Sequence, residues 1–265
     1  MQLENGRYRD SVALNSHEVD SNNSAHASCY FQVMQEAAGS HAYHLGVSIP
    51  QLMQVHKTWV VTRTRMTILR HASWPGTITV ETWPQEPWKL YYPRVCRAWD
   101  AQDNLLFESL SQWVIMDLAT QRPVKPQQTP DLFGGTAVAQ VVDPDLGRRV
   151  SFDQEAYARL LTHEPRIRYE DCDLNMHVNN VVYLQWMLDS LPFDFRDSHL
   201  VREVDISYLA QTFREDRVMV TTGLERPESL TEREPVLFHE ISRHASDGNM
   251  VTVCVARTRW RNRAQ

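Results

Sequence analysis

The sequence predicts an α+β fold in which two long helices are each wrapped by antiparallel strands of one extended sheet. Three observations lead to this prediction. A helical pattern near residue 30 is followed by runs with strand character, and the same order returns after residue 163. The connections between these runs are too short for crossover helices, so the strands should be antiparallel. The second helix is apolar on nearly every face, and such a helix has to be buried.

The composition predicts a soluble protein of the cytoplasm. Its residues are 42% apolar and 23% charged, and the mean hydropathy is −0.45. No apolar run approaches the ~20 residues that span a bilayer, and the start of the sequence lacks the apolar core of a secretion signal. The net charge of −6 argues against nucleic acid as the main partner. We therefore expect neither a membrane nor a nucleic acid as a partner.

The cysteines and glycines exclude several functional classes. The four cysteines are scattered and form no CxxC pair, which favours reduced thiols over a zinc site or a disulfide framework. The nine glycines form no GxGxxG, phosphate loop or GxSxG motif. Doubly wound nicotinamide enzymes, P-loop NTPases and serine hydrolases with a nucleophile elbow therefore lose support. No cofactor is expected.

A calcium loop is the one metal site that the sequence suggests, and it fails on inspection. Asp171-x-Asp173-x-Asn175 resembles the start of such a loop. Met176 stands where the loop needs glycine, and Val182 stands where the bidentate glutamate belongs. No metal is expected.

The first half, residues 1–130, reads as one helix followed by about four long strands. The helix is predicted from about Ala27 to Leu45, and Gly46 follows as its C-terminal glycine. Residues 100–104 are predicted to form a hairpin turn. The predicted strands cover residues 59–69, 77–83, 91–99 and 105–117.

The periodicity decays over residues 131–162, which we interpret as a linker with a short helix near residues 152–161. An irregular but ordered loop packed on both halves is the alternative interpretation. The second half, residues 163–265, opens with a polar segment and a buried helix that stops at Pro192. Residues 246–249 are predicted to form a hairpin turn. Its predicted strands cover residues 199–209, 217–224, 236–243 and 250–260.

The two halves repeat one another at a shift of 153 positions. Tyr30-x-Gln32-x-Met34-x-Glu36 aligns with Tyr183-x-Gln185-x-Met187-x-Asp189. The same shift places Asp20 on Asp173, Asn22 on Asn175 and Ser24 on His177. We infer a tandem duplication, as repeats of this kind indicate. Because the first copy lacks the imidazole, the sequence predicts one chemical site, in the second half.

The motif Asp173-x-Asn175-x-His177-Val178-Asn179-Asn180-x-x-Tyr183-x-x-Trp186 closely resembles that of the acyl-ACP thioesterases of plants and their bacterial relatives. The segments Trp59-Val-Val-Thr-Arg63 and Ser111-x-Trp113-Val114 resemble the same family, so the resemblance covers most of the chain apart from the linker. It implies a double hotdog fold with an N-terminal hotdog that binds the acyl chain and a catalytic C-terminal hotdog. It also implies hydrolysis of fatty acyl-ACP to free fatty acid and carrier protein, which ends fatty acid elongation.

In the family that this motif resembles, the aspartate, asparagine and histidine act together. Asp173 is then expected to be the general base that activates water, or a nucleophile. Asn175 is expected to orient the water or hold the carbonyl oxygen, and His177 to donate to the oxyanion or hold Asp173 in place. The alternative interpretations are a helix cap, a turn residue and a half-buried histidine with satisfied hydrogen bonds.

A later strand carries a departure from the family. Gln211 occupies the position at which the family has a glutamate with an assigned catalytic part. An amide can hold a water molecule but cannot take its proton, which moves the base chemistry onto Asp173. A shifted alignment would place Glu215 there instead, but it breaks the match at Tyr208.

An acyl chain requires an apolar slot. The repeat places its expected lining in the first half, at Phe31, Met34, Ala38 and Trp59. Asn179 is expected to contact substrate, or to tie the helix start to neighbouring backbone.

The acidic carrier protein requires a basic docking surface. The candidates are Arg63, Arg65, Arg166, Arg168 and the row from Arg257 to Arg263. For any single arginine, a solvated strand face is the alternative interpretation. An acyl-CoA thioesterase and a non-catalytic acyl-binding double hotdog are the alternative functions. Chain length and homodimer formation are left open.

Overall fold

The structure, a computed structural model, describes residues 2–129, 141–244 and 248–264. The chain divides into two compact units, Met1–Gly147 (unit 1) and Arg148–Gln265 (unit 2). The proposed domain and linker boundaries remain a prediction, and residues 131–140 of that linker lie outside the described residues. Residues 142–147 are an ordered loop on unit 1, because Leu146 is buried with Trp83, Val95 and Leu110.

Unit 1 contains one long helix, one short helix and a meandering antiparallel sheet. Its helices are α1 (Ala27–His44) and α2 (Ile49–Met53). Its strands in order of pairing are β1, β2, β4, β5, β6 and β3, with β7 beside β6. The described strands are β1 (Gln2–Glu4), β2 (Arg7–Leu14), β3 (Lys57–Ile68), β4 (Gly76–Pro84), β5 (Tyr92–Trp99), β6 (Leu105–Asp117) and β7 (Arg122–Val124).

Helix α1 has the predicted bounds. Tyr30, Phe31, Met34, Ala38 and His41 are buried at the helical spacing that forms one stripe. Gly46 has a φ of +75°, as expected for the glycine that ends a helix. The prediction of a helix followed by four long strands is therefore confirmed.

Strand β2 was not predicted. Its interior is polar or small, and only Tyr8 and Leu14 are buried, so the segment reads as a polar lead. Tertiary pairing decides its structure, because its backbone pairs with β4 from Tyr8 to Leu14.

Unit 2 repeats this arrangement with a shorter central helix. Its helices are α3 (Asn180–Asp189) and α4 (Phe193–Ser198). Its strands in order of pairing are β9, β12, β11, β10 and β8, all antiparallel. The described strands are β8 (Arg159–His163), β9 (His199–Tyr208), β10 (Val218–Leu224), β11 (Val236–His244) and β12 (Met250–Asn262).

Helix α3 is apolar and buried, as predicted. Seven of its ten residues are buried, and they cover both faces of the helix. Among the described residues, no helix is both long and apolar enough to cross a membrane.

One local prediction for unit 2 was wrong, and another lies partly outside the described residues. The helix expected near residues 152–161 is replaced by a 3-10 turn at Gln154–Ala156 and by β8. Strand β8 forms because its backbone hydrogen-bonds to the N–H and C=O groups along one side of β10. The stop predicted at Pro192 is confirmed, because α3 ends at Asp189, and Pro192 also directly precedes the first turn of α4. In the predicted hairpin turn 246–249, residues 246 and 247 lie outside the described residues.

Two glycines provide a matched test of packing. A Cβ at Gly223 would lie 2.5 Å from Cγ of Tyr157, whereas a Cβ at Gly39 on the exposed side of α1 would have nothing within 4 Å. We expect Gly223→Ala to lower the free energy of unfolding by roughly 1–3 kcal/mol through overpacking. Gly39→Ala should raise it by about 0.5–1 kcal/mol, since alanine favours helix. Urea unfolding measures both, and equal effects would contradict the packing described here.

A buried histidine should make unit 2 sensitive to acid. His239 lies between Thr222 Oγ1 and Thr258 Oγ1, each at 2.8 Å, and burial lowers its pKa to about 3. Below the ordinary histidine pKa of about 6.5, the unfolded chain takes up the proton first, so stability is lost as pH falls from there toward 3.

His239→Gln removes this proton uptake, so its free energy of unfolding should fall less than that of the wild type between pH 7 and pH 4.5. The difference should be at most roughly 2–3 kcal/mol at about 1.4 kcal/mol per pKa unit. Urea unfolding at both pH values measures it. Parallel curves for the two proteins would contradict a neutral buried imidazole.

Candidate active site

The motif residues Asp173 and His177 face each other across a closed turn just before α3. The Asp173 N–H donates to the His177 carbonyl at 3.1 Å, and the Met176 N–H donates to the Asp173 carbonyl at 3.0 Å. Met176 has a φ of +65°, which lets the chain reverse within four residues. Cys172 and Val178 then pair as an antiparallel bridge.

Backbone hydrogen bonds fasten this turn on both sides. The Val178 N–H donates to the Thr212 carbonyl and the Asn179 N–H to the Asp171 carbonyl, each at 2.8 Å. The Asp171 side chain is only 1% exposed, and it accepts from the Arg168 backbone N–H and guanidinium. The positions of Asp173 and His177 are therefore set by backbone.

The Asp173 carboxylate is held by two donors. Its Oδ1 accepts from the Asn175 N–H at 2.8 Å, and its Oδ2 accepts from Asn179 Nδ2 at 3.3 Å. Its Oδ1 also lies 4.0 Å from Nδ1 of His177. Both carboxylate oxygens thus already accept hydrogen bonds on the side of the turn that faces the imidazole.

The imidazole of His177 presents one nitrogen to this carboxylate and keeps the other available. Nδ1 lies 3.4 Å from the Val178 carbonyl and 4.0 Å from Asp173 Oδ1. Both neighbours are acceptors, so we assign the proton of the neutral ring to Nδ1. Nε2 is buried and has no hydrogen-bond partner among the described residues. In this tautomer Nε2 carries a lone pair that can accept a proton.

Two asparagines follow at the start of α3. Asn179 Oδ1 accepts from the Val181 N–H at 2.9 Å, so this side chain caps α3 and steadies Asp173 at once. Its contacts favour the interpretation that it ties the helix start to its neighbours. Nδ2 of Asn180 is buried without a hydrogen-bond partner among the described residues. Sequence reasoning gave Asn180 no chemical role, although the double asparagine of the motif signals it.

Gln211 lies beside this turn, and Glu215 does not. Gln211 is half-buried and precedes Thr212, whose carbonyl receives the Val178 N–H. The Glu215 side chain is 72% exposed and forms an ion pair with Arg214 at 2.7 Å. The geometry therefore favours the alignment that places an amide, not a carboxylate, at this position.

Unit 1 contains the same turn without the imidazole. The Asp20 N–H donates to the Ser24 carbonyl at 2.9 Å, and the Ala25 N–H donates to the Ala72 carbonyl at 2.8 Å. Asn23 has a φ of +55°, at the position of Met176. The duplication thus extends to individual backbone hydrogen bonds. Equivalent positions carry Ser24 and His177, His26 and Asn179, Ala27 and Asn180, and His71 and Gln211.

The predicted acyl-binding residues fall into two groups. Phe31, Met34 and Ala38 lie together on the buried stripe of α1. Trp59 packs in a separate cluster with Leu52, Tyr92 and Ile115, and its indole N–H donates to the Val47 carbonyl at 2.7 Å. An acyl-binding role for these residues stays a prediction.

Two arginines of the predicted docking surface are in fact structural. Arg63 is buried and donates to the Gly147 carbonyl at 2.9 Å, and Arg65 donates to the Leu146 carbonyl at 2.7 Å. They fasten the loop 142–147, so the expectation that Arg63 docks a carrier protein was wrong.

The four cysteines are unpaired and unsuited to nucleophilic catalysis. Burial raises the pKa of Cys29 to about 12 and also raises that of the Cys172 thiol inside the motif. The pKa values of the buried Cys96 and Cys254 rise for the same reason. A thiolate nucleophile is thereby disfavoured. In the described ranges, no three histidine, cysteine or acidic side chains are grouped so that they could hold a metal ion.

Comparison with protein-family models identifies the family of the chain. The family model described as the acyl-ACP thioesterase N-terminal domain matches residues 5–129, and the C-terminal domain model matches residues 154–262. Together these matches span most of the sequence.

The chain belongs to the acyl-ACP thioesterase family.

Curated relatives agree with this assignment. The chain is 26% identical over 233 residues to the chloroplastic oleoyl-acyl carrier protein thioesterase 1 of Arabidopsis thaliana, a match that covers 80% of the chain and 62% of that relative. It is 25% identical to the chloroplastic palmitoyl-acyl carrier protein thioesterase of the same plant, over 82% of the chain and 55% of the relative. The chain thus spans less than two thirds of the length of these relatives.

Solved structures confirm the predicted double hotdog fold. The 12:0-ACP thioesterase from Umbellularia californica superposes with a TM-score of 0.84 at 22% identity, covering 99% of this chain and 100% of that one. An acyl-ACP thioesterase from Bacteroides thetaiotaomicron superposes with a TM-score of 0.78 at 20% identity, over 98% and 100% of the two chains.

The double role of Asn179 can be tested by stability. Asn179→Ala removes both the cap of α3 and the donor to Asp173, and should lower the free energy of unfolding by about 1 kcal/mol. Asn179→Ser retains a capping oxygen, so its free energy of unfolding should fall by only roughly a few tenths of a kcal/mol. Urea unfolding measures both variants. An equal loss for the two would show that the cap contributes nothing.

Proposed function

We propose that this chain hydrolyses the thioester of fatty acyl-ACP and releases free fatty acid and carrier protein. The observation that carries the proposal is the Asp173–His177 pair with its available Nε2. Membership of the acyl-ACP thioesterase family and the names of the relatives support the substrate class. The turns of unit 1 and unit 2 are otherwise equivalent, but only the turn of unit 2 carries this pair. That difference supports a chemical role for Asp173 and His177.

His177 is the group best placed to take the proton of the attacking water. Asp173 already accepts hydrogen bonds at both carboxylate oxygens, so we assign it the role of holding the Nδ1–H and stabilising the imidazolium. This division differs from the expectation that Asp173 is the base. The catalytic roles of Asp173, Asn175, His177 and Gln211 are all part of this proposal.

The reaction then proceeds in two steps. The water oxygen bonds to the thioester carbonyl carbon while its proton moves to Nε2 of His177, which leaves a tetrahedral oxyanion. Collapse of this intermediate breaks the carbon–sulfur bond, and the imidazolium returns the proton to the sulfur of the leaving carrier thiol. Atoms and charge balance without a cofactor.

Neutral donors are available for the oxyanion and the water. Within the described part of the chain, Nδ2 of Asn180 is buried without a hydrogen-bond partner, and it lies at the start of α3, where helix N–H groups also favour negative charge. Gln211 can hold the water through its amide without taking a proton. Asn175 contributes its backbone N–H to Asp173, which places it beside the pair.

The test is release of free thiol from acyl-ACP and from acyl-CoA across chain lengths. Asp173→Asn should lower kcat/KM by roughly 10²–10⁴-fold, because the imidazole loses its orienting carboxylate. Asp20→Asn is the matched control, since Asp20 occupies the same turn of unit 1, and it should change kcat/KM less than about threefold. Similar losses for both variants would contradict a single site in unit 2.

Two further outcomes separate the alternatives. Added imidazole should restore activity to His177→Ala and not to Asp173→Ala, and rescue of neither variant would return the base role to Asp173. If wild type and Gln211→Glu are both inert while acyl chains still bind, the chain is a non-catalytic acyl-binding protein. Cleavage of acyl-CoA as fast as acyl-ACP would remove the carrier protein as the preferred partner.

A further inference from the structure

Among the described residues of unit 1, one buried arginine has no acidic partner. Arg94 on β5 is only 7% exposed. Its Nη1 lies 3.2 Å from His41 Nδ1 and donates to Thr82 Oγ1 at 3.3 Å, and in the described part of the chain no carboxylate lies within ion-pair distance. Burial lowers its pKa to about 10, so the guanidinium remains charged at neutral pH.

The partners of Arg94 are neutral and do not offset its charge. His41 is 1% exposed, and burial lowers its pKa to about 3, so its ring is uncharged at pH 7. Thr82 is buried and donates its own hydroxyl proton to the Val95 carbonyl at 2.7 Å. A buried cation held only by neutral acceptors is destabilising, since isolated buried charge has a large desolvation cost.

Two other arginines of unit 1 have acidic partners. Arg97, three residues along the same strand, forms an ion pair with Glu108 at 3.6 Å. Arg7 forms one with Glu81 at 2.9 Å. Arg94 therefore stands apart from its neighbours, and Arg97 is a natural control for it.

The sheet around Arg94 changes from apolar to polar along the axis of α1. Ala98, Phe107 and Ile68 are cross-strand neighbours, and the ring of Phe107 packs on Tyr30 of α1. Near the C-terminal end of α1, the cross-strand neighbours are instead Arg94, Ser111 and Thr64. This second row lies at the level of His41, which Arg94 contacts.

Between these rows, Ser109 donates to the sulfur of Met34 on α1 at 3.3 Å. The sheet positions at Phe107, Ser109 and Ser111 therefore all face α1. From Tyr30 to His41 the helix rises roughly 16 Å at 1.5 Å per residue. The hydroxyl of Thr64 is fully buried and has no hydrogen-bond partner among the described residues.

We propose that Arg94, with His41 and Thr64, forms a subsite inside unit 1 that binds the carboxylate of an aliphatic acid. The Arg94 guanidinium pairs with the carboxylate, Thr64 donates its hydroxyl proton to it, and the aliphatic chain lies along Met34 towards Tyr30. A carboxylate supplies both missing elements, a negative charge and acceptors for buried donors. The carboxylate comes either from free fatty acid or from the far end of an acyl substrate, and only the second source rests on the proposed function.

Direct binding tests the subsite without any assay of catalysis. Calorimetry with dodecanoate and with dodecan-1-ol compares two ligands of equal chain length, one of them uncharged. Dodecanoate should bind the wild type at least about tenfold more tightly than it binds Arg94→Met, since a charge-assisted pair is lost. Dodecan-1-ol should bind both proteins equally, and Arg97→Met should bind dodecanoate as the wild type does. Equal dodecanoate affinity for wild type and Arg94→Met overturns the proposal.

A thermal unfolding measurement tests whether the role of Arg94 is purely structural. Because Arg94→Met replaces an uncompensated buried charge by an apolar side chain of similar length, its midpoint should equal or exceed that of the wild type. A much lower midpoint would overturn the proposal, since Arg94 would then contribute to folding. Thr64→Val provides a second variant and should weaken dodecanoate binding by a smaller factor than Arg94→Met.

Thiol release separates the two sources of the carboxylate. The kcat/KM ratio of an ω-carboxydodecanoyl substrate to a dodecanoyl substrate should fall in Arg94→Met if the substrate carries the carboxylate. If that ratio is unchanged and dodecanoate inhibits the wild type but not Arg94→Met, free fatty acid is the ligand. Failure of all hydrolysis would refute the proposed function while the binding result still decides the subsite.

Discussion

The candidate site depends on one constraint, the fastening of the start of α3 to its surroundings by backbone hydrogen bonds. An apolar helix must be covered on nearly every side, so its entry point cannot move without exposing core. Val178 and Asn179 are bonded to the Thr212 and Asp171 carbonyls, which leaves the turn between Asp173 and His177 little freedom. Chemistry at this point therefore relies on a geometry that folding already requires.

Proton transfer at such a site requires that its two proton acceptors differ in the hydrogen bonds that they already accept. Both oxygens of Asp173 accept hydrogen bonds, whereas Nε2 of His177 has no hydrogen-bond partner among the residues that the structure describes. The Asp173 carboxylate is held in place by its two donors and lies 4.0 Å from Nδ1 of the imidazole.

Much of this arrangement could be predicted from the sequence. Hydrophobic periodicity predicted α1, α3 and the long strands, because burial on one face or on all faces leaves a clear pattern. Strands β2 and β8 were missed because backbone pairing, which has no side-chain signature, decides their structure. The motif indicated which residues form the candidate site, and their roles stay a prediction. It could not predict which atoms remain available, since that depends on partners such as the Val178 carbonyl. The isolation of Arg94 was equally hidden, because alternation along a strand does not reveal a missing acid.

The two equivalent turns have a consequence for how this chain can evolve. Each turn is closed by main-chain groups, so its shape does not depend on which side chains it displays. Positions such as Ser24 and His177 can therefore differ while both turns keep the same backbone hydrogen bonds. A duplicated scaffold of this kind separates the inheritance of shape from the inheritance of chemistry.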